Sequence, residues 1–262
     1  MAAGWESHRV WMWEGSRAAG EWLVDALDPK PGETVLGLAA GTGETGFLAA
    51  ARVGDDGKLI STDFAPNMVE AAHAESNRLG LANVEHRTLD AENMDLQDSS
   101  VDGVLCRWGY MLMVDPVAAF RETQRVLREG GAVAFSVFAP AEDNPWAGIP
   151  DRLLLEVGGS APPPTAPGIF AMADPDRTRS LLAAAGLESK RTEDVPIAWR
   201  FQGFDGCWQF LIDIAGAISV RIAALTDDQR EAFRGLFEEA LEPYGTEDGI
   251  EIPGLTRNTL AA

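Results

Sequence analysis

An apolar run, Val35-Leu36-Gly37-Leu38, opens into Ala39-Ala40-Gly41-Thr42-Gly43, a turn of residues with little side chain. Such residues let a backbone approach a ligand to van der Waals contact, and a helix starting at Glu44 would offer unpaired N–H groups there. Twenty residues beyond Gly43, Asp63 ends the next apolar run. A carboxylate at that position accepts hydrogen bonds from ribose hydroxyls. The pattern points to a nucleoside site at the ends of parallel strands. It does not by itself say which nucleoside, because Gly41-Thr-Gly-Glu-Thr-Gly46 also matches G-x-G-x-x-G, the dinucleotide fingerprint.

Groups able to move a proton near neutral pH are few. The three histidines are His8, His73 and His86. His86 falls in a short strand and His73 on a helix flank, positions that suit structural or solvent-facing roles. His8 stands among Trp5, Trp11 and Trp13 and is the candidate base or substrate contact. Trp146, Trp199, Phe201, Phe204, Trp208 and Phe210 supply aromatic surface for a flat apolar substrate, and equally for an ordinary insertion core. Cys106, Cys207 and the histidines have no metal-ligand spacing, so no metal is expected and the two thiols read as free.

The elements that would position these residues alternate. Residues 1–28 read as a helix stopped by Pro29-Lys-Pro-Gly32. Strands follow at 34–38, 58–62, 83–88, 101–106 and 132–138, separated by helices. Pro66 and Asp115-Pro116 mark helix starts, and Gly130-Gly131 is expected to end the helix before the last of these strands. Residues 140–170 are rich in Pro and Gly and read as an irregular lid. A helix from Asp174 to Gly186, a strand at 189–197, helical segments over 204–242 and a last strand at 249–262 complete the order. Thr226-Asp-Asp-Gln229 is a capping box. Runs apolar on both faces argue for a parallel sheet covered on each side.

With 21 Lys plus Arg against 41 Asp plus Glu, the net charge is −20, which repels nucleic acid and anionic membrane surfaces. The longest uncharged stretch, 157–173, holds Pro162, Pro163, Pro164 and Pro167 and cannot be a membrane helix. No secretory signal is read at the N-terminus, and a cytoplasmic location is expected.

Four further motifs give the chain a family likeness. They are Ser61-Thr-Asp63-Phe-Ala-Pro-Asn-Met68, Thr88-Leu-Asp90-Ala-Glu92, Ser99-Ser-Val-Asp102-Gly-Val104 and Arg125-Val-Leu-Arg-Glu-Gly-Gly131. In this order and spacing the chain resembles the class I S-adenosylmethionine-dependent methyltransferases, in the branch of quinone-biosynthesis and natural-product enzymes. The resemblance implies an α/β fold: a doubly wound, mostly parallel, seven-stranded Rossmann-like sheet with helices on both faces and a helical insertion or lid. It implies one domain over 1–262, with a cap (1–28), a cofactor-binding core (29–139) and substrate-covering segments (140–170 and 199–245).

The cofactor implied is S-adenosylmethionine and the substrate a small, apolar or aromatic molecule. Gly37, Ala39, Gly41 and Gly43 would line the cofactor. Asp63 would hold the ribose, Phe64 and Met68 would pack on the adenine, and Asp90 and the Ala91 N–H would read its edge. Arg107 would border the cofactor. Trp11, Trp108, Tyr110, Trp146 and Trp199 would meet the substrate. One departure stands out: the family usually carries an acid where this chain has Gly37, and that acid holds the cofactor ammonium. The alternatives are an NAD(P)-dependent oxidoreductase, a non-catalytic binding protein, and other chemistry on the same fold and cofactor.

Overall fold

The computed structural model describes residues 8–161, 166–213 and 216–262; Trp5, Pro162, Pro163 and Pro164 lie outside them. The strands are β1 Thr34–Gly37, β2 Lys58–Asp63, β3 Val84–Thr88, β4 Val101–Arg107, β5 Leu127–Phe138, β6 Ser189–Phe201, β7 Gly245–Thr246 and β8 Gly249–Ala261. They form one sheet of order β3-β2-β1-β4-β5-β8-β6, with β7 paired to β8. Strands β1 to β5 run parallel, and β8 lies antiparallel between β5 and β6. Among the described residues the expected seven strands are therefore eight. The extra one is a two-residue hairpin arm, made possible by Gly249 at φ 138° where the chain turns back onto β8.

Among the described residues the helices are α1 Arg9–Leu27, α2 Glu44–Val53, α3 Pro66–Leu79, α4 Pro116–Val126, α5 Pro145–Glu156, α6 Pro175–Ala184, α7 Phe204–Asp213, α8 Ala217–Ala223 and α9 Asp227–Leu241. Their starts follow local chemistry. Asp115 caps α4 by accepting the Ala118 N–H, and Thr226 and Gln229 close the capping box of α9. No single described helix is long and apolar enough to cross a membrane.

Three boundaries differ from the sequence expectation. Helix α4 stops at Val126 rather than at the glycine pair, because Leu127 already pairs with Val101 in the sheet. The lid expected over 140–170 contains α5. Asn144 staples its start to β8, donating to the carbonyls of Ala139, Pro140 and Leu255 and accepting the Leu255 N–H. Strand β6 runs on to Phe201, which places Trp199 and Phe201 in the sheet beside Ile252 and Ile250.

Helix α1 packs on α2, β4, β5, β6 and β8. Its register is held by Asn258, which donates to the Ala19 carbonyl at 3.1 Å, and by the Trp22 indole N–H, which donates to Glu193 at 2.7 Å. Gly15 allows the approach to β6: a Cβ there would lie 2.7 Å from the Trp199 ring.

Candidate cofactor and substrate site

The glycine turn leaves the end of β1 pinned on both sides. The Ala40 N–H donates to the Thr62 carbonyl, the Leu38 N–H to the Leu105 carbonyl, both at 2.8 Å, and the Thr62 hydroxyl to the Gly37 carbonyl at 2.9 Å. Three turn residues have positive φ: Ala39 (49°), Gly41 (57°) and Gly43 (96°). For alanine that conformation costs about 1–3 kcal/mol, a strain found where backbone is shaped for a ligand. At Gly43 a Cβ would fall 2.3 Å from the Phe47 ring, whereas at Gly41 it would meet nothing within 4 Å. The Gly41 face is thus open to a ligand. Gly37 is not among the positive-φ residues, and a Cβ there would make ordinary 3.6 Å contacts with Ala40 and Leu59. The missing acid is therefore not excluded by backbone strain.

Asp63 lies at the end of β2. Its two oxygens accept the Gly41 N–H at 2.9 Å and the Ala65 N–H at 3.0 Å. Each oxygen keeps a second lone pair. Beside it Phe64 is 73% exposed, a large apolar ring held in solvent at the mouth of the turn, with Met68 part-buried on α3. Asp90 is exposed and accepts the Glu92 N–H, which closes the turn after β3 around buried Ala91. Glu92 in turn accepts the Val114 N–H at 2.7 Å.

Arg107 ends β4 and turns its guanidinium toward the same loop. Nε donates to the Thr45 hydroxyl at 3.1 Å and Nη1 to the Ser16 hydroxyl at 2.7 Å. The guanidinium carbon lies 4.8 Å from the Trp108 ring centre. Burial lowers the pKa of Arg107, opposed by the field of Glu44. Gly37, Ala39, Thr45 and Arg107 line a small cavity of about 20 Å³. Trp108 follows at φ 61°, and Gly109 lets this bend pack on the turn: a Cβ there would lie 2.7 Å from that of Ala39.

Helix α1 straps the site from above. Arg9 bonds Glu75 of α3 at 2.9 Å and Glu44 of α2 at 3.4 Å. Arg78 grips Glu75 through Nε and Nη2, both at 2.7 Å, and these bonds, with the Arg9 charge, hold its carboxyl below the usual range against the opposing effect of burial. His8 stands before the first turn of α1, its Nε2 3.2 Å from Asp213 Oδ2 at the end of α7. Trp11 stacks on Trp199, centroids 5.2 Å apart, and its indole donates to the Arg200 carbonyl. Trp108 stacks on Phe138 at 4.6 Å, and Trp146 meets Phe138 and Trp199 edge-on at 5.0 and 5.7 Å. Within this aromatic nest the indole N–H groups of Trp108 and Trp199 and the Ser136 hydroxyl are buried without partners among the described residues.

The fold thus brings Gly37, Ala39, Gly41, Gly43, Asp63, Arg107 and Trp108 to neighbouring strand ends, with Trp11, Trp146 and Trp199 beside them. Tyr110 corrects the sequence reading. It is fully buried, its hydroxyl bonded to Thr123 at 2.6 Å and its ring stacked on Phe120 at 4.0 Å, because the bend at Trp108 sends it beneath α4. Sequence reasoning missed Arg9, Ser16, Thr45 and Asp213. Ser16 had a signal: it is a polar residue on the apolar face of α1. Burial pushes both thiols, Cys106 and Cys207, up to about 12, so they are unreactive as nucleophiles at neutral pH. Among the described residues no group of side chains could hold a metal ion.

Residues 29–152 match the family model described as a methyltransferase domain. Aklanonic acid methyltransferase of Streptomyces sp. (strain C5) is 34% identical over 144 residues, which are 52% of this chain and 64% of that protein. A ubiquinone/menaquinone biosynthesis C-methyltransferase of Enterobacter sp. (strain 638) is 26% identical over 193 residues, 70% of this chain and 74% of that one. The match therefore spans less than two thirds of the aklanonic acid enzyme. Among solved structures, a SAM-dependent methyltransferase from Aquifex aeolicus superposes with a TM-score of 0.54 at 23% identity, covering 67% of this chain and 83% of that one. That likeness shows a shared fold.

Proposed function

We propose that this chain, whose residues 29–152 match a methyltransferase-domain family model, transfers a methyl group from S-adenosylmethionine to a small, apolar or aromatic acceptor. The observation that carries the reading is the strained glycine turn. It stands open at Gly41, and Asp63 on one side and Arg107-Trp108 on the other close around it next to the aromatic nest. The donor supplies an already activated carbon, so the protein has to align, desolvate and, for some acceptors, remove a proton. In this reading Gly41 and Gly43 shape the backbone against the donor, Asp63 takes the ribose, Phe64 and Met68 cover the adenine, and Asp90 and Ala91 meet its edge. Trp11, Trp108, Trp146 and Trp199 exclude water around the acceptor. The segments 1–28, 140–170 and 199–245 act as the cover over a 29–139 core.

Proton removal falls to His8. If Nε2 donates to Asp213, the lone pair sits on Nδ1, the arrangement of an oriented general base. His8→Ala should lower kcat for a phenolic or carbon acceptor while leaving cofactor affinity unchanged; equal turnover by the variant would remove the imidazole from the chemistry. The reading as a whole is tested by thermal shift with S-adenosylhomocysteine and NAD. A rise in Tm with the first is expected. A rise with NAD alone would favour the dinucleotide alternative.

A further inference from the structure

Among the described residues Arg107 is a cation without an anion. Its two partners among the described residues are neutral hydroxyls, Ser16 Oγ and Thr45 Oγ1. The carboxylate whose field reaches it, Glu44, is already held by Arg9 and by the Thr42 hydroxyl at 2.8 Å. None of the residues lining the adjoining cavity is acidic, and Gly37 stands there without a side chain although a Cβ would make only ordinary contacts. Taking a guanidinium out of water without a counter-charge is costly unless a ligand brings one. Arginine presents a fork of donors that matches a carboxylate.

Resting on the methyl-donor reading above, we infer that Arg107 receives the carboxylate of the cofactor's amino-acid tail, so that this chain anchors the tail by its anionic end instead of by its ammonium. Ser16 and Thr45 are then positioning residues: they occupy Nη1 and Nε and leave Nη2, which has no hydrogen-bond partner among the described residues, to the ligand. Gly37 fits the same arrangement. An acid beside Arg107 would pair with the guanidinium and compete with the incoming carboxylate.

Calorimetric titration tests this without turnover. The probes are S-adenosylhomocysteine, its decarboxylated analogue, its desamino analogue, and methylthioadenosine, which lacks both charged groups. For the unaltered protein, loss of the carboxylate should weaken binding by about tenfold or more, the scale of a charge-assisted hydrogen bond, and loss of the amine by less than about threefold. In Arg107→Met the carboxylate should no longer matter, while methylthioadenosine binds as before. Arg107→Lys, which keeps the charge but not the fork, should retain part of the effect and serves if Arg107→Met does not fold. A larger loss from removing the amine, or an undiminished carboxylate effect in Arg107→Met, would overturn the assignment. If neither S-adenosylhomocysteine nor methylthioadenosine binds the unaltered protein, the methyl-donor reading fails first, and this inference with it.

Discussion

Replacing Asp63 with alanine should damage the protein twice, and the two losses can be read separately. The carboxylate accepts the Gly41 N–H at 2.9 Å and the Ala65 N–H at 3.0 Å, so it fixes the glycine turn to the start of α3 even without ligand. A hydrogen bond to a charged group contributes about 1.5–3 kcal/mol. Asp63 is only part-buried, so water can replace some of each bond, and about 2–3 kcal/mol for the pair is the expected loss. At roughly 2–4 °C per kcal/mol for a chain of this size, Tm should fall by roughly 4–12 °C. If the same oxygens also accept two ribose hydroxyls, a further ~2–4 kcal/mol disappears from binding, a rise in Kd of roughly 30- to 1,000-fold. Differential scanning fluorimetry reads the first loss and calorimetric titration with S-adenosylhomocysteine the second. Asp63→Asn should fall between, since its amide keeps one acceptor but turns a donor toward an N–H. A folded Asp63→Ala protein that binds S-adenosylhomocysteine with unchanged affinity would refute the ribose role. An unchanged Tm would refute the pin.

Two other perturbations follow from the same geometry. Gly37→Asp should fold, because neither positive φ nor a close contact opposes a Cβ there, and should weaken S-adenosylhomocysteine by about tenfold, because the new carboxylate pairs with Arg107 across the shared cavity and competes with that of the ligand; unchanged or tighter binding by a folded variant would refute that competition. Glu75 has a lowered pKa in the folded state, so it contributes stability above its unfolded pKa, near 4.3, that is lost as pH falls through the lower folded value. Glu75→Gln should therefore lower Tm at pH 7 and flatten its decline below about pH 5; parallel Tm-versus-pH curves for the two proteins would show that the Arg9–Glu75–Arg78 cluster has no such role.

What could be read in advance was whatever one strand–turn–helix unit contains. The glycine turn, Asp63 after β2 and the Asp90-Ala91-Glu92 turn depend on spacing within a few residues, and each lies at a strand end as expected. Contacts across the sheet were not legible. Ser16 reaches Arg107 from 91 residues away, and Asp213 reaches His8 from 205. Both depend on where α1 crosses the strand ends, which no local pattern encodes. Tyr110 failed for a related reason: two positions from Trp108, it was assigned to the same surface. The left-handed bend at Trp108 sends the two rings to opposite sides.

The position of β8 has a consequence for how the protein comes into being. This strand is synthesised after the other seven, yet it lies in the sheet's interior, between β5 and β6. Until the ribosome has delivered it, β5 and β6 each present an unpaired edge, and β5 is buried and apolar along its second half. Unpaired edges of this kind template pairing with other chains. The Ala19 carbonyl of α1 also waits for Asn258, so the strap over the candidate site takes its seat only with the last strand. Nascent chains halted before residue 249 should therefore be recovered with chaperones or in aggregates rather than as cofactor-binding fragments.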